Sequence, residues 1–434
     1  MDELRIAIDA TQIVSGGSGG VAQAILGLVH ALGRLHDGPE EYIIVVDSEQ
    51  QLEWLRSVSG PNQHFRLKPV AAPRRRNKAV TQLSRILRRS ATNLRGGLAG
   101  APPRWPVLPL SDGFFESLGC EVIHFPHQQF TLCALPSIYT PHDLQHLHYP
   151  QFFTPSAIAQ RETTYRGGCQ LAQTVVVASQ WIKDDIVRQY GLSPHKVQII
   201  PWGAPTQAVR TPSPQHLEMV KTKYGLQEPF AIFPAVTWPH KNHLRLLEAL
   251  AAVRSQQGNV VPLVCTGANY APHWPRISEC LETLNLREHV KFLGFVPDED
   301  LRAIYQLSQF LVMPTLFESD SFPIYEAWME GVPVVCSNVC SLPDQVQDAA
   351  VLFDPHDVQS MVAAIIQVSA SPAVRESLRE RGYRRLKDFD WECTARAYRA
   401  VFRRAANRQL GSDELRLLQW DWMREPHRQS ESDS

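Results

Sequence analysis

Short apolar runs rich in Val, Ile and Phe alternate along the chain with longer stretches whose apolar residues recur at helical spacing. In the first half "RIAIDA" (5–10), "YIIVVD" (42–47), "EVIHFP" (121–126), "PSIYTPHD" (136–143) and "TVVVAS" (174–179) predict strands, and the clearest helix runs from Gly20 to about Leu35. In the second half "FAIFPAV" (230–236), "VPLVCTG" (261–267), "VKFLGFV" (290–296), "FLVMPT" (310–315) and "VPVVCS" (332–337) repeat the scheme, with helices expected at about 242–257, 274–285, 298–307 and 323–330. Strands without strict alternation are buried on both faces, so the pattern predicts an α/β protein with parallel sheets covered by helices on both faces, doubly wound.

The chain has 434 residues, too many for one core, and the prior of roughly 150 residues per domain makes two domains the expectation. The Pro- and Ser-rich stretch around 201–219 lacks periodicity, which places the interdomain link there and divides the chain into domains at 1–205 and 228–387 with a linker at 206–227. The tail at 409–434 ends in "REPHRQSESDS" and is expected to fray.

A formal charge of -1 with 44% hydrophobic residues describes an ordinary globular protein and gives no support to a nucleic-acid partner. One segment departs from this balance: residues 73–106 carry nine Lys or Arg, and no acid occurs between Glu53 and Asp112. It reads as a solvated insertion or as a basic amphipathic helix, with Arg85, Arg88 and Arg89 meeting an anionic membrane surface or a phosphate-bearing acceptor. The eight cysteines are dispersed, which favours a reducing, cytoplasmic setting, and Cys336 and Cys340 lack the companions of a zinc site. "MDELRIAIDA" does not resemble a signal peptide, and no apolar run nears the roughly 18 residues of a membrane span.

"FESDSFPIYEAWMEGVPVV" (317–335) carries the most informative chemistry. The preceding strand delivers its carboxyl end here, Pro323 suits the first turn of a helix, Ser321 or Asp320 is available as its cap, and Gly331 can end it. Glu318 then lies in the loop and Glu326 in the helix, so the pair brackets a helix start whose free N–H groups suit a diphosphate. Carboxylates repel phosphate, so each glutamate is expected to accept from sugar hydroxyls. The bland alternative is a loop acid and a helix-face acid. "FPAVTWPHKN" (233–242) brings Lys241 to the same sheet edge as a point charge for diphosphate. "IDATQIVSGGSGGVAQAI" (8–25) is strand, Gly-rich turn and helix, with Gly16, Gly17, Gly19 and Gly20 permitting close backbone approach. In "IYTPHDLQHLHYPQFF" (138–153), His142 is expected to face the cleft for hydrogen bonding or proton transfer and Asp143 to orient the loop or a substrate hydroxyl. A metal reading of His142, His146 and His148 is the weaker one. Ser179 and the acids of "PDED" (297–300) are expected as helix caps.

These motifs, in this order, resemble the retaining glycosyltransferases of family 4, over nearly all of residues 6–402. The match rests on Glu318 and Glu326 with the following "AWMEGVPVVCSNVCSLPDQVQDAAVLFDP", and on "PHKN", "VKFLGFVPDEDLRAIY", "HDLQ" and "GGSGGV". The resemblance implies the GT-B architecture, two Rossmann-like domains facing a central cleft, with helices at 388–408 crossing back to the N-terminal domain. It implies that Glu318 meets the donor hexose and Glu326 the ribose, that the amides from Ser319 through Asp320 and Ser321 to Phe322 hold sugar and phosphate, and that Lys241 holds the diphosphate. Gly19 and Gly20 would flank the phosphates and His142 the reacting face of the hexose. The donor would be a nucleotide sugar, GDP-mannose among the candidates, the acceptor a saccharide or lipid-linked saccharide, and neither metal nor other cofactor is called for. Two departures stand out. The usual Glu-Gly-Phe-Gly-Leu is Glu-Ser-Asp-Ser-Phe here, and the arginine often found six positions before the lysine is replaced by Ala235, leaving Lys241 alone or with a residue such as His240 to meet the phosphate. A GT-B epimerase or phosphorylase and a non-catalytic sugar-binding protein are the alternative readings.

Overall fold

A computed structural model describes residues 3–11, 19–69, 107–205, 211–227 and 229–422. The N-terminal half builds a seven-stranded parallel sheet. Its strands are β1 (Leu4–Asp9), β2 (Glu40–Val46), β3 (Gln63–Leu67), β4 (Val122–Phe125), β5 (Ser137–Tyr139), β6 (Thr174–Val177) and β7 (Val197–Ile199), ordered β3-β2-β1-β4-β5-β6-β7. The C-terminal half builds a six-stranded parallel sheet, ordered β10-β9-β8-β11-β12-β13. These strands are β8 (Ala231–Pro234), β9 (Leu263–Thr266), β10 (Val290–Phe292), β11 (Phe310–Met313), β12 (Val334–Ser337) and β13 (Ala350–Phe353). In each sheet the strand order reverses direction beside the first strand, so β1 and β4 diverge in one and β8 and β11 in the other. Loops leaving the carboxyl ends of such neighbouring strands open a crevice for ligand. The cleft residues named below leave β1, β5, β8 and β11.

The expected helices form at Gly19–Leu32, His243–Gln257, Trp274–Thr283, Asp298–Leu307 and Phe322–Met329. Ser179 caps its helix, its hydroxyl accepting from the Ile182 amide at 3.3 Å. The acids of 297–300 act otherwise than expected: Asp300 is buried and accepts from Lys223 Nζ and the Tyr224 hydroxyl, each at 2.7 Å. Those partners lie on the helix Pro214–Tyr224, capped by Ser213, within the stretch expected to be a linker. Its amphipathic side buries Val220, so this helix belongs to the C-terminal body.

The helix Trp391–Ala405 runs back onto the N-terminal sheet, where Tyr398 and Phe402 pack against His124, Trp202 and Tyr42. Arg403 Nε pairs with Glu40 Oε1 at 2.6 Å, and Asp37 takes Arg396 and Arg399. The tail is structured from Arg408 to Trp422, and the rest of it, residues 423–434, lies outside the described residues. Ser412–Gln419 is helical, Gln198 Nε2 donates to the Leu418 carbonyl at 2.8 Å, and Trp422 is buried. Among the described residues no helix is long and apolar enough to cross a membrane.

Candidate active site

A cavity of about 590 Å³ lies between the two sheets, within the range of small-molecule sites. Gly19, Gly20, His142 and Asp143 line it from the N-terminal side, and His240, Lys241, Glu318, Ser319, Asp320 and Phe322 from the C-terminal side. Two helix starts meet here. Gly19 has φ 59°, and a Cβ on Gly20 would come within 3.2 Å of the Phe322 ring, so glycine lets the two starts approach. Gly16 and Gly17 lie outside the described residues, as do Arg85, Arg88 and Arg89.

Lys241 and Glu318 come from different loops and form an ion pair of 2.6 Å. Lys241 is positioned by the 3-10 turn Pro239–Lys241; the next residue, Asn242, has φ 64° and donates through Nδ2 to the carbonyls of Pro314 and Pro355 at 3.0 and 3.1 Å. This asparagine ties the lysine loop to the end of β11, and the left-handed conformation it adopts is one that asparagine tolerates. The two residues expected to face different parts of a donor therefore neutralise each other.

The helix Phe322–Met329 starts without the cap expected of it. Asp320 Oδ1 instead accepts from the Tyr325 hydroxyl at 2.9 Å, and Oδ2, buried in the cavity wall, has no hydrogen-bond partner among the described residues. Burial pushes the Asp320 carboxyl up to about 7, with the neighbouring Glu318 adding to the shift and Tyr325 opposing it. Ser321 is buried behind the cavity, its amide donates to Gln345 Oε1 and its carbonyl accepts from Gln345 Nε2, both at 3.0 Å. Ser321 thus lacks a free amide, contrary to expectation, because Gln345 clamps its backbone. Glu326 stands off the cavity lining and accepts from the Tyr305 hydroxyl at 2.8 Å. Burial raises its carboxyl to about 7.

His142 occupies the left-handed region at φ 69°, unusual for a side chain of its size. Its Nε2–H donates to the Pro126 carbonyl at 2.9 Å, and its ring stacks on Trp202 at 5.9 Å. That bond leaves Nδ1 as the acceptor of a neutral ring, and burial lowers the pKa, which keeps the ring neutral. Asp143 orients its loop as expected, Oδ1 accepting from the Gln145 amide at 3.0 Å. The other two histidines have separate partners: His146 meets Glu162 at 2.8 Å and His148 meets Asp185 at 2.7 Å. Burial and the adjacent Lys241 hold the pKa of His240 well below the ordinary value.

Sequence reasoning missed Arg161, Trp202 and Tyr270, which also line the cavity. Arg161 lies on the polar surface of a helix, Pro155–Leu171, whose pattern carries no motif, and nothing local distinguishes it from a solvent-facing arginine.

Two family models match the chain, the "Glycosyltransferase Family 4" description over residues 18–208 and the "Glycosyl transferases group 1" description over residues 217–385. The chain belongs to these glycosyltransferases. Among glycosyltransferase relatives, the O-antigen chain mannosyltransferase B of Escherichia coli is 29% identical over 267 residues, covering 61% of this chain and 69% of the relative. The serotype-specific mannosyltransferase WbdA of Escherichia coli is 29% identical over 184 residues, which cover 42% of this chain and 23% of that longer protein. The sucrose-phosphate synthase of Thermosynechococcus elongatus superposes with a TM-score of 0.66 at 18% identity, covering 93% of this chain and 99% of that one. WaaG, a glycosyltransferase involved in lipopolysaccharide biosynthesis, superposes with a TM-score of 0.62 at 13% identity over 92% and 99% of the respective chains. These structural likenesses establish the shared GT-B fold.

Proposed function

We propose that the protein transfers a hexose, with GDP-mannose the favoured donor, to a saccharide or lipid-linked saccharide, with retention of configuration. The observation that carries this reading is the Lys241–Glu318 pair at a helix start facing a second helix start across one cavity. A donor entering the cavity exchanges this pair for two new ones: the diphosphate takes Lys241, and hexose hydroxyls donate to Glu318. Preference for mannose follows the names of the mannosyltransferase relatives, and a polysaccharide or lipopolysaccharide acceptor follows from the same source. An anionic membrane surface as the place of reaction accords with the basic composition of 73–106.

In the reaction the bond between the anomeric carbon and the diphosphate oxygen breaks, and its electron pair leaves with that oxygen. The acceptor hydroxyl attacks from the same side, and its proton passes to the departing phosphate oxygen. Lys241 and the dipole of the helix Phe322–Met329 oppose the charge that grows on the leaving group. Neutral His142 offers Nδ1 to a hexose hydroxyl at the reacting face. For Glu326 to accept from ribose, its carboxylate has to reach the cavity it stands off, from its place beside the Tyr305 hydroxyl.

The test is nucleotide release from a panel of nucleotide sugars with a saccharide acceptor. Wild type should release one nucleotide in an acceptor-dependent manner, and Glu318→Ala should lose at least about a hundredfold in rate. Unchanged release by Glu318→Ala would remove the reading.

A further inference from the structure

Ala235 stands where the resembling family often has a phosphate-binding arginine, and it is buried and apolar. The remaining cation on that side, Lys241, is already matched by Glu318 at 2.6 Å. The diphosphate of a nucleotide sugar brings about two negative charges and gains a third as it leaves, so one lysine is a poor match even after it exchanges Glu318 for phosphate. Among the described residues, the other lysine or arginine in the cavity lining is Arg161, and it comes from the opposite domain.

Arg161 stands in the helix Pro155–Leu171, and its guanidinium lies 4.7 Å from the ring centroid of Phe153 and 5.7 Å from that of Tyr165. Two aromatic faces fix its direction, so the charge is preorganised. Arg161 shares the cavity lining with His240, the residue preceding Lys241. Phe152, Phe153 and His240 line the same cavity as Arg161 and Lys241.

We propose that Arg161 supplies from the N-terminal domain the phosphate contact that Ala235 cannot, completing the diphosphate site with Lys241 across the interdomain cleft. This rests on the transferase reading above. Its consequence is that the leaving group is fully matched only when the two domains hold Arg161 and Lys241 on either side of it, so diphosphate binding and interdomain geometry are coupled.

The experiment uses Arg161→Met, which keeps an apolar stem against Phe153 and Tyr165 without the charge, and Arg161→Lys, which keeps the charge. Calorimetric titration with GDP, UDP, ADP and dTDP identifies the diphosphate that wild type binds, and the same titration is then run with the corresponding nucleoside. Arg161→Met should bind that diphosphate about ten- to a hundredfold more weakly, with nucleoside affinity unchanged and a shallower salt dependence. Arg161→Lys should recover part of the loss. Diphosphate affinity equal to wild type in Arg161→Met, with only the acceptor KM raised, would assign Arg161 to the acceptor and overturn the proposal. If wild type itself binds none of the four diphosphates, the transferase reading falls and the proposal with it.

Discussion

Glu326 shows how one half-buried carboxyl can contribute to the pH response of stability. Burial, its largest influence, lifts its pKa from an ordinary 4.5 to about 7, Tyr305 opposes the rise, and Asp298 and Glu330 reinforce it. Between these two values the folded state binds more protons than the unfolded chain, so stability falls as pH rises through that window and is level above it. The linkage is on the order of 3 kcal/mol at most for a shift of this size. Asp320 adds a slope of the same sign. Denaturant unfolding of the unliganded protein at pH 5 and pH 7.5 should therefore give a smaller drop in Glu326→Gln than in wild type, by about 2 kcal/mol. An identical drop in both proteins would mean that Glu326 is ionised throughout. The same residue limits what could be read from sequence. The spacing of Glu318 and Glu326 placed them on either side of a helix start, but the tyrosine facing Glu326 comes from Tyr305 on another helix, and the lysine facing Glu318 comes from a loop 77 residues away in the chain. Pairings of that range leave no local trace.

At the scale of elements, legibility followed burial. The strands read from sequence were predominantly central ones, covered on both faces, and their apolar runs are unbroken, as in β4 and β11. The three strands that went unread, β3, β7 and β13, are all at sheet edges. Gln63–Leu67 is largely exposed and its sequence "QHFRL" mixes charge with one aromatic, as an edge strand protected from further pairing does. The crossing helix Trp391–Ala405 was expected only through family resemblance, and its seat is made by two glycines. A Cβ on Gly27 would come within 2.0 Å of the Trp391 ring and one on Gly203 within 2.4 Å, while Trp391 Nε1 donates to the Ala204 carbonyl at 2.5 Å. Gly27 lies inside a helix, where alanine would otherwise be favoured by roughly 1 kcal/mol. Gly27→Ala should nevertheless lower the melting temperature, with overpacking costing about 1–3 kcal/mol, and should expose the C-terminal helix to limited proteolysis. A melting temperature equal to or above that of wild type would show that Trp391 can shift without loss.

For the whole molecule, the donor loop is seated by the domain it faces. Phe317, immediately before Glu318, is only 3% exposed and packs among His148, Tyr149 and Trp181 of the N-terminal half. The Tyr149 hydroxyl donates to the Leu316 carbonyl at 3.0 Å, and Ser179 and Ser341 share a buried hydrogen bond of 2.6 Å across the same junction. Glu318 therefore takes its position from both sheets, although it belongs in sequence to the second. Phe317→Ala empties an aromatic site at this junction and removes about 3–5 kcal/mol of packing, part of which acts between the domains and not within either. Small-angle scattering should show a larger radius of gyration for the variant, and activity should fall mainly through a weaker KM for the nucleotide sugar, because each domain still carries its own half of the site. A variant with wild-type scattering and wild-type donor KM would mean that the loop after β11 holds Glu318 unaided, and the coupling between closure and donor binding would then have to reside in the diphosphate contacts alone.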